Sequence, residues 1–373
     1  MTDVEPGLRS DDGAALDRLA RSMTTPGHDV PDYRLVGSRH HRSSVNLLVD
    51  LAGAGAEFAD GPADGGDGGR RLFVKRFREH ASTRYRAAQD GLDRPRLRPV
   101  TDPASRLADE AAALNAIHRM VADADRNDWF AVAVIPAADC PDLLVLERID
   151  VPTMAERIES GAPDVMMDGA ARSLGAWLQA FHRQPPAHPR ARPHLTRSAD
   201  LVRLATEMID HIDDRRLERR RDRIIGAVAS LPPEFEVTPS HGDLNPKNVF
   251  VADDGVIAVF DTAAESAMPV HVDLANLAVT LEFAGYKQPL ARTRVRAEQL
   301  AEQFRVGYGS AIPARSELLA FEIVVLLDRW CSLGERGGRS SLKRAAVQHL
   351  RRQILAAGLS AGIGRRLDQL GAV

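Results

Sequence analysis

The segment from His241 to Asp261 restricts the fold more than any other part of this sequence. Within it, two short runs of Val, Ile, Ala and Phe lie on either side of Asp254-Gly255, a dipeptide typical of tight hairpin turns. If these two residues form the centre of the turn, Asn248 lies opposite Asp261, and directly opposed residues have Cβ atoms about 5 Å apart. The pattern therefore predicts a β-hairpin with an amide and a carboxylate side by side at its open end.

These two side chains have the chemistry of a magnesium site. Hard cations such as Mg²⁺ bind carboxylate and amide oxygens and take substrate phosphates as further ligands. Asp243 precedes Asn248 by five residues, across a loop that contains Pro246, and can therefore reach the same place. An ordinary surface hairpin would explain the acidic turn at Asp253 and Asp254, but not polar residues at the ends of two apolar strands. We therefore predict a metal and phosphate site at this end of the hairpin.

The order His-Gly-Asp-x-x-x-x-Asn, then a hairpin, then Asp resembles the catalytic core of the aminoglycoside phosphotransferase and choline kinase-like families. These families are relatives of the protein kinases, whose catalytic loop reads H-R-D-x-x-x-x-N. The resemblance implies that Asp243 is the catalytic aspartate, which orients the acceptor hydroxyl and can deprotonate it. It also implies that Asn248 and Asp261 hold Mg²⁺ and that His241 braces the loop. Downstream, Asp273 resembles a helix cap or loop anchor of the same families rather than a catalytic residue.

A kinase-like fold also needs a lysine and a glutamate that pair to hold the nucleotide phosphates. Lys75 lies between two aromatic residues on one face of a predicted strand, and taken alone it could extend its ammonium group to water. Glu110 lies within the apolar stripe that Leu107 and Leu114 form on a predicted helix. Because an unpaired charge that faces a core costs several kcal/mol, two such residues in one lobe predict an ion pair, Lys75–Glu110.

The other predicted nucleotide contacts depend on the main chain. The polar loop after the first strand lacks the protein-kinase G-x-G-x-x-G motif, from which the resembled families also depart. Its N–H groups, with Ser43 and Ser44, are candidates for phosphate contacts, and a plain polar turn is the alternative. The run that ends at Ile149 resembles the strand between kinase lobes, so the main chain of Glu147 and Ile149 is expected to bind the adenine edge.

Two further features differ from the relatives. Asp261-Thr262-Ala263 stands where protein kinases have Asp-Phe-Gly, and no Ala-Pro-Glu is present, which argues against a protein kinase with an activation loop. Lys247 precedes Asn248, and either an approach to the γ-phosphate or simple exposure to solvent would account for it.

The chain as a whole divides into a sheet-rich front and a helix-rich rear, which predicts two lobes. We expect a flexible segment over 1–30 with at most a short helix, a nucleotide-binding N-lobe over 31–150, and a helical C-lobe over 151–373 that carries the catalytic loop and acceptor site. The predicted fold is α+β and bilobal, like the protein kinases, with a small antiparallel sheet and one helix in the N-lobe. The predicted N-lobe strands are Tyr33–Gly37, Val45–Leu51, Arg71–Phe77, Phe130–Ile135 and Leu143–Ile149, with a mobile glycine-rich stretch over 53–69.

Charge and composition exclude several other classes of protein. The 49 basic and 52 acidic residues among 373 give a net charge of −3, which makes no electrostatic case for a nucleic-acid binder. Two cysteines cannot form a disulfide framework, and this suits a reducing cytosol. No apolar run approaches the ~20 residues of a membrane span, and no signal peptide is apparent. We therefore expect a cytoplasmic protein.

The sequence thus predicts a small-molecule kinase that uses ATP or GTP with Mg²⁺ and phosphorylates a hydroxyl group of a small acceptor. An aminoglycoside, a sugar, an amino alcohol and a glycan precursor all stay open as acceptors, and so does the oligomeric state. One alternative is a pseudokinase that binds nucleotide and serves as an interaction module without turnover. Another is an enzyme of the same fold that transfers a different part of the nucleotide.

Overall fold

The structure, a computed structural model, describes residues 10–23, 33–40, 44–51, 70–77, 95–97, 103–137, 140, 142–185, 192–262, 266–286, 291–333 and 342–372. The chain forms two compact units. The first comprises Met1–Leu92, Thr101–Arg119 and Ala131–Asp150, and the second comprises Asp93–Val100, Met120–Phe130 and Val151–Val373. Ser43 and the glycine-rich stretch over 53–69 lie outside the described residues.

The first unit is built on an antiparallel sheet of four strands in the order β1-β2-β3-β4. These strands are β1 (Tyr33–His40), β2 (Ser44–Leu51), β3 (Arg70–Phe77) and β4 (Leu143–Glu147). The predicted helix is also present, with Pro103 at its first position, where the missing N–H costs nothing. The strands alternate inward and outward side chains, so Leu72 and Val74 are buried on one face.

The N-terminal helix α1 (Ser10–Ser22) packs its apolar stripe onto this sheet. Leu16 and Leu19 are buried in one cluster with Leu47 and Val74 of the strands. The helix is longer than the predicted one and is part of the core, which differs from the flexible segment expected over 1–30. The physical reason is that its apolar residues recur at helical spacing and find a sheet face to cover. The helix between β3 and β4 is α2 (Pro103–Asp123).

The predicted strand over Phe130–Ile135 is wrong, because this run pairs at two separate places. The Phe130 N–H donates to Ile257 O, within the second unit, at 2.9 Å. The Ile135 N–H donates to Val145 O, within the first unit, at 2.8 Å. Pro136 follows and has no N–H with which to extend a ladder, so the run makes only isolated bridges.

The second unit consists mainly of helices around one large apolar core. Its helices are α3 (Met154–Ser160), α4 (Asp164–His182), α5 (Ser198–Ile212), α6 (Arg215–Glu218), α7 (Arg221–Ala229), α8 (Val270–Tyr286), α9 (Ala291–Tyr308), α10 (Arg315–Cys331) and α11 (Leu342–Leu370). Met208 of α5, Val272 of α8, Phe321 of α10 and Leu359 of α11 are fully buried in the same cluster. None of the described helices combines the length and apolar character that a membrane crossing requires.

Short strands connect these helices. The strands β5 (Arg192–Pro193), β6 (Val237–Pro239) and β9 (Ser266–Pro269) form one small sheet in the order β5-β9-β6. The strands β7 (Val249–Val251) and β8 (Ile257–Val259) form the predicted hairpin. Because α8 starts directly after β9, the sheet fixes where this helix begins.

The hairpin has a different register from the predicted one. Phe250 lies opposite Ala258, and the Phe260 N–H donates to Asn248 O at 3.1 Å. The prediction that Asn248 faces Asp261 is therefore wrong by one residue. A two-residue turn of type I′ needs a positive φ at both central residues, whereas here Gly255 alone in the turn has one, at 86°. The turn is instead a three-residue loop closed by this left-handed glycine.

Candidate active site

The catalytic loop predicted from the sequence follows β6 and is anchored through its main chain. The N–H groups of His241 and Gly242 donate to Oδ2 and Oδ1 of Asp273, at 2.7 and 3.0 Å. The Ser240 hydroxyl donates to Oδ2 as well, at 3.1 Å. Gly242 has a φ of 76°, a conformation in which a Cβ is disfavoured. Asp273 therefore anchors the loop, one of the two roles that its sequence position suggested.

The Asp273 carboxylate is 1% exposed and is also contacted by His182, whose Nε2 lies 3.2 Å from Oδ2. Burial by itself would raise the pKa of Asp273. The hydrogen bond and charge of His182, with the charge and main-chain N–H of His241, outweigh burial and lower this pKa from 3.8 to about 2. Asp273 is therefore ionised at neutral pH and accepts every hydrogen bond offered to it.

His241 is fully buried and packs against aromatic rings of α4. Its ring centroid lies 6.2 Å from that of Trp177 and 6.5 Å from that of Phe181, both in edge-on geometry. The His241 carbonyl accepts a hydrogen bond from the Thr262 hydroxyl at 3.3 Å. The main chain of the loop is thus tied at this point to the residue that follows Asp261.

The loop beyond His241 is held by two asparagine side chains. The amides of Asn245 and Asn248 both donate to the Asp243 carbonyl, at 2.8 and 2.9 Å. The Asn248 amide also lies 3.3 Å from Asp243 Oδ2. A 3₁₀ turn, Pro246–Asn248, completes the loop. Asp243 and Asn248, predicted to act together, are therefore in direct contact.

The position of the loop is also fixed from α8 and α10. The Asn276 amide donates to Leu244 O at 2.6 Å, and Arg329 donates to the Asn276 carbonyl at 2.8 Å. Sequence reasoning missed Asn276, Arg329 and His182. Their one sequence signal is polar character within or next to apolar helical stripes, which alone does not identify a partner.

Asp261 has a φ of 58°, which is uncommon for a residue other than glycine. It follows Phe260, whose ring stacks on Phe250 at 4.6 Å. The left-handed backbone ends the strand here, so the alternation of strand faces no longer fixes where the carboxylate points.

The donor set at this end of the hairpin suits a hard divalent cation. The Asn248 amide nitrogen is turned towards Asp243, which leaves its carbonyl oxygen as a ligand of the kind that Mg²⁺ binds. Asp261 supplies a carboxylate one residue beyond the strand partner of Asn248. Among the described residues no group of three or more His, Cys, Asp and Glu could hold a metal ion. Two protein oxygens would leave positions open for phosphate oxygens and waters, which hard cations also bind.

Lys75 and Glu110 lie together in the first unit, as the sequence predicts. Lys75 Nζ lies 2.9 and 2.8 Å from the two carboxylate oxygens of Glu110. The residues are 6% and 3% exposed, so the ammonium group does not extend to water. The pair joins β3 to α2.

The other predicted nucleotide contacts lie at the end of β4 and at the start of β2. The Glu147 N–H donates to Ala133 O at 3.0 Å, and the side chain of Glu147 is exposed. Ile149 lies just past the end of β4, so its N–H is not part of the ladder. Ser44 is the first residue of β2.

Comparison with solved structures shows the fold. A macrolide 2′-phosphotransferase type I is 14% identical with a TM-score of 0.51, over 95% of this chain and 98% of the other. ADP-bound aminoglycoside phosphotransferase APH(2″)-Ib is 12% identical with a TM-score of 0.53, over 95% and 99%. A candidate aminoglycoside phosphotransferase from Ralstonia eutropha JMP134 is 9% identical with a TM-score of 0.55, over 94% and 98%. The predicted protein-kinase-like fold class is confirmed.

Comparison with curated protein sequences finds no match. Residues 101–319, more than half of the chain, match the profile of the Phosphotransferase enzyme family. This range includes Glu110, the catalytic loop, both predicted metal ligands and Asp273. The chain therefore belongs to the phosphotransferase enzyme family.

Proposed function

We propose that this protein is a kinase that transfers the γ-phosphoryl group of ATP or GTP to a hydroxyl group of a small molecule. The observation that carries the proposal is the catalytic loop, in which the Asp243 carboxylate lies beside the Asn248 amide and the main chain is fixed by Asp273. A loop held from both ends keeps a carboxylate ready for an incoming hydroxyl group. The ADP-bound neighbour carries a nucleotide on the same fold, which supports a nucleotide co-substrate.

In the proposed mechanism Asp243 accepts a hydrogen bond from the acceptor hydroxyl and directs its oxygen at the γ-phosphorus. The bond from this oxygen to phosphorus forms while the bond from phosphorus to the bridging β–γ oxygen breaks. The hydroxyl proton passes to Asp243 or to the transferred phosphoryl group, and ADP or GDP leaves. Catalysis consists of positioning and charge stabilisation, without a covalent enzyme intermediate.

The remaining residues of the proposed site bind the nucleotide. Asn248 and Asp261 would hold Mg²⁺, which supplies neutralisation of the charge on the phosphate oxygens. Lys75, held in place by Glu110, binds the α- and β-phosphates. The N–H of Ile149 and the carbonyl of Glu147 are proposed to bind the adenine or guanine edge. Ser43 and Ser44 stay candidates for phosphate contact.

The proposed acceptor is a small molecule with a free hydroxyl group, and the candidates are aminoglycosides, amino alcohols, sugars and glycan precursors. We propose that the enzyme works in the cytoplasm. There the nucleotides are available, and the buried thiols of Cys140 and Cys331, which form no disulfide, stay reduced.

The test is an ADP- or GDP-release assay with Mg²⁺ and a panel of these four acceptor classes. We expect acceptor-dependent release of the nucleoside diphosphate with one class. Release of AMP or pyrophosphate instead would contradict γ-phosphoryl transfer. Nucleotide binding with no product from any acceptor would favour the pseudokinase alternative.

Two variants test the residue roles. Asp243→Asn should keep nucleotide affinity but lower kcat by at least about a thousandfold, because the hydroxyl loses its orienting carboxylate. Asp261→Ala should abolish the Mg²⁺ dependence of nucleotide binding, measured by calorimetry with and without the metal. Asp253→Asn is the matched control, since Asp253 lies on the exposed turn of the same hairpin. Turnover like wild type in Asp243→Asn would overturn its catalytic role.

A further inference from the structure

We propose that His182 and Tyr308 are positioning residues for the catalytic loop, which they hold in place through Asp273. The inference rests on the proposed function, since the loop they position is the one that carries Asp243. Nε2 of His182 lies 3.2 Å from Asp273 Oδ2, and Nδ1 lies 2.9 Å from the Tyr308 hydroxyl. These contacts join residues that are 91 and 126 positions apart in the chain.

Every member of this chain of contacts is shielded from water. Tyr308 and Asp273 are almost fully buried, and His182 is 6% exposed. Burial and the nearby charge of Asp273 raise the pKa of Tyr308, so its hydroxyl stays protonated. Because the Asp273 carboxylate can only accept, Nε2 of His182 carries a proton directed at Oδ2, while Nδ1 shares a hydrogen bond with the Tyr308 hydroxyl.

The imidazole contacts Oδ2, the carboxylate oxygen that also accepts two of the three hydrogen bonds from the loop. Asp273 Oδ1 accepts from the Gly242 N–H, whereas Oδ2 accepts from the His241 N–H and the Ser240 hydroxyl. A carboxylate held only by the loop could rotate together with it. His182 fixes Oδ2 from α4, so that the two main-chain N–H groups meet an acceptor of fixed orientation.

The close contact between helices α4 and α9 fixes the distance between His182 and Tyr308. Arg296 contacts Asp168 near the start of α4, and Tyr308 contacts His182 at its end, so α4 and α9 run in the same direction. Their backbones come so close that a Cβ on Gly175 would overlap Phe304 O, and one on Gly307 would overlap Arg172 O. This close packing gives the histidine and tyrosine little freedom to separate.

The two nitrogens of His182 can be tested separately by substitution. The amide of glutamine reaches the position of Nε2, and the amide of asparagine reaches that of Nδ1. His182→Gln therefore keeps the contact with Asp273, whereas His182→Asn keeps only the contact with Tyr308. We expect kcat to fall by about tenfold or more in His182→Asn and clearly less in His182→Gln, with the nucleotide KM unchanged in both. Tyr308→Phe should lie between the wild type and His182→Asn.

Ser173→Ala is the matched control. Ser173 is a buried residue of α4 whose hydroxyl bonds to Asp128 rather than to the loop. Ser173→Ala should lower Tm about as much as His182→Asn does, but it should leave kcat unchanged. If kcat fell in this variant as far as in His182→Asn, or if Gln and Asn at position 182 gave equal kcat, a structural role would explain the data and the proposal would be overturned.

A second readout does not depend on turnover. Amide hydrogen exchange, followed by mass spectrometry on a peptide that contains 240–243, should accelerate in His182→Asn and stay near wild type in His182→Gln. Equal exchange in wild type and His182→Asn would overturn the proposal. If the 240–243 peptide exchanged faster in His182→Asn than in His182→Gln and wild type, but the wild type showed no turnover, the loop-positioning role would be supported. The proposed kinase function would then be contradicted.

Discussion

Lys75 and Glu110 show at the scale of single residues how a buried ion pair couples stability to the proposed function. Each charge has been removed from water, and the other residue supplies its compensation at 2.8 Å. Such a pair contributes little net stability compared with apolar residues of similar size, but the loss of one partner leaves an uncompensated charge. The main effect of the pair is therefore to hold the Lys75 ammonium group in one position.

The buried Lys75–Glu110 pair predicts a non-additive double-mutant cycle. Lys75→Met and Glu110→Leu should each destabilise the protein by about 3–5 kcal/mol, because each leaves a buried charge. The double variant should recover most of that stability, as measured by urea unfolding, while its nucleotide affinity stays as low as that of Lys75→Met alone. Simple addition of the two stability losses would contradict the account.

At the residue scale, the sequence predicted site residues that a local pattern identifies. It missed residues whose contacts are made between distant positions in the chain. Asp243 and Asn248 lie five residues apart, so loop geometry alone brings them together. Because Glu110 lies within an apolar helix stripe, the sequence predicted a cationic partner for it, and Lys75 of the same unit is that partner. His182 and Tyr308 were missed because their partners lie far away in the chain, and no local rule relates them.

At the scale of elements, the prediction of the hairpin was right and the prediction of its register was wrong. The Asp-Gly signal identifies a turn but does not separate a two-residue turn from a three-residue turn that ends in a left-handed glycine. Gly255 adopts the latter form, and Asp261 consequently lies one residue beyond the partner of Asn248. The strand expected over Phe130–Ile135 failed for a related reason, since β propensity does not reveal which sheet receives each residue.

The contact between α4 and α9 gives a prediction at the same scale. Gly175→Ala should destabilise the protein by at least about 1–3 kcal/mol, because the new Cβ would overlap backbone atoms of α9 that cannot rotate away. Gly169→Ala, in the same helix, meets no atom within 4 Å and should instead stabilise by about 0.5–1 kcal/mol through helix propensity. Thermal or urea unfolding measures both, and equal effects of the two substitutions would refute the close contact.

At the scale of the whole molecule, the C-terminal helix α11 is held against the other helices of the second unit by charges as well as by apolar packing. Arg366 is 6% exposed and donates to Glu322 of α10 and to Glu282 of α8, at 2.7 Å in each case. Arginine side chains of a helix that packs on a core ordinarily face solvent. At Arg366 the basic side is instead buried, because two helices present carboxylates to it.

Arg366→Met should therefore destabilise the protein by about 3 kcal/mol, at the lower end of the range for a broken buried pair. We expect a loss at the lower end because both carboxylates keep a second arginine partner: Arg305 still pairs with Glu322, and Arg365 still pairs with Glu282.

Arg223→Met is the matched control. Arg223 pairs with Asp368 of the same helix in an exposed position, so its substitution should lower the free energy of unfolding by at most about 1 kcal/mol. Urea unfolding at low salt and at 1 M salt, where the Debye length is about 3 Å, separates the two: the Arg223 effect should vanish and the Arg366 effect should persist. Equal losses in the two variants, or an Arg366 effect that salt removes, would mean that α11 is held by apolar contacts alone.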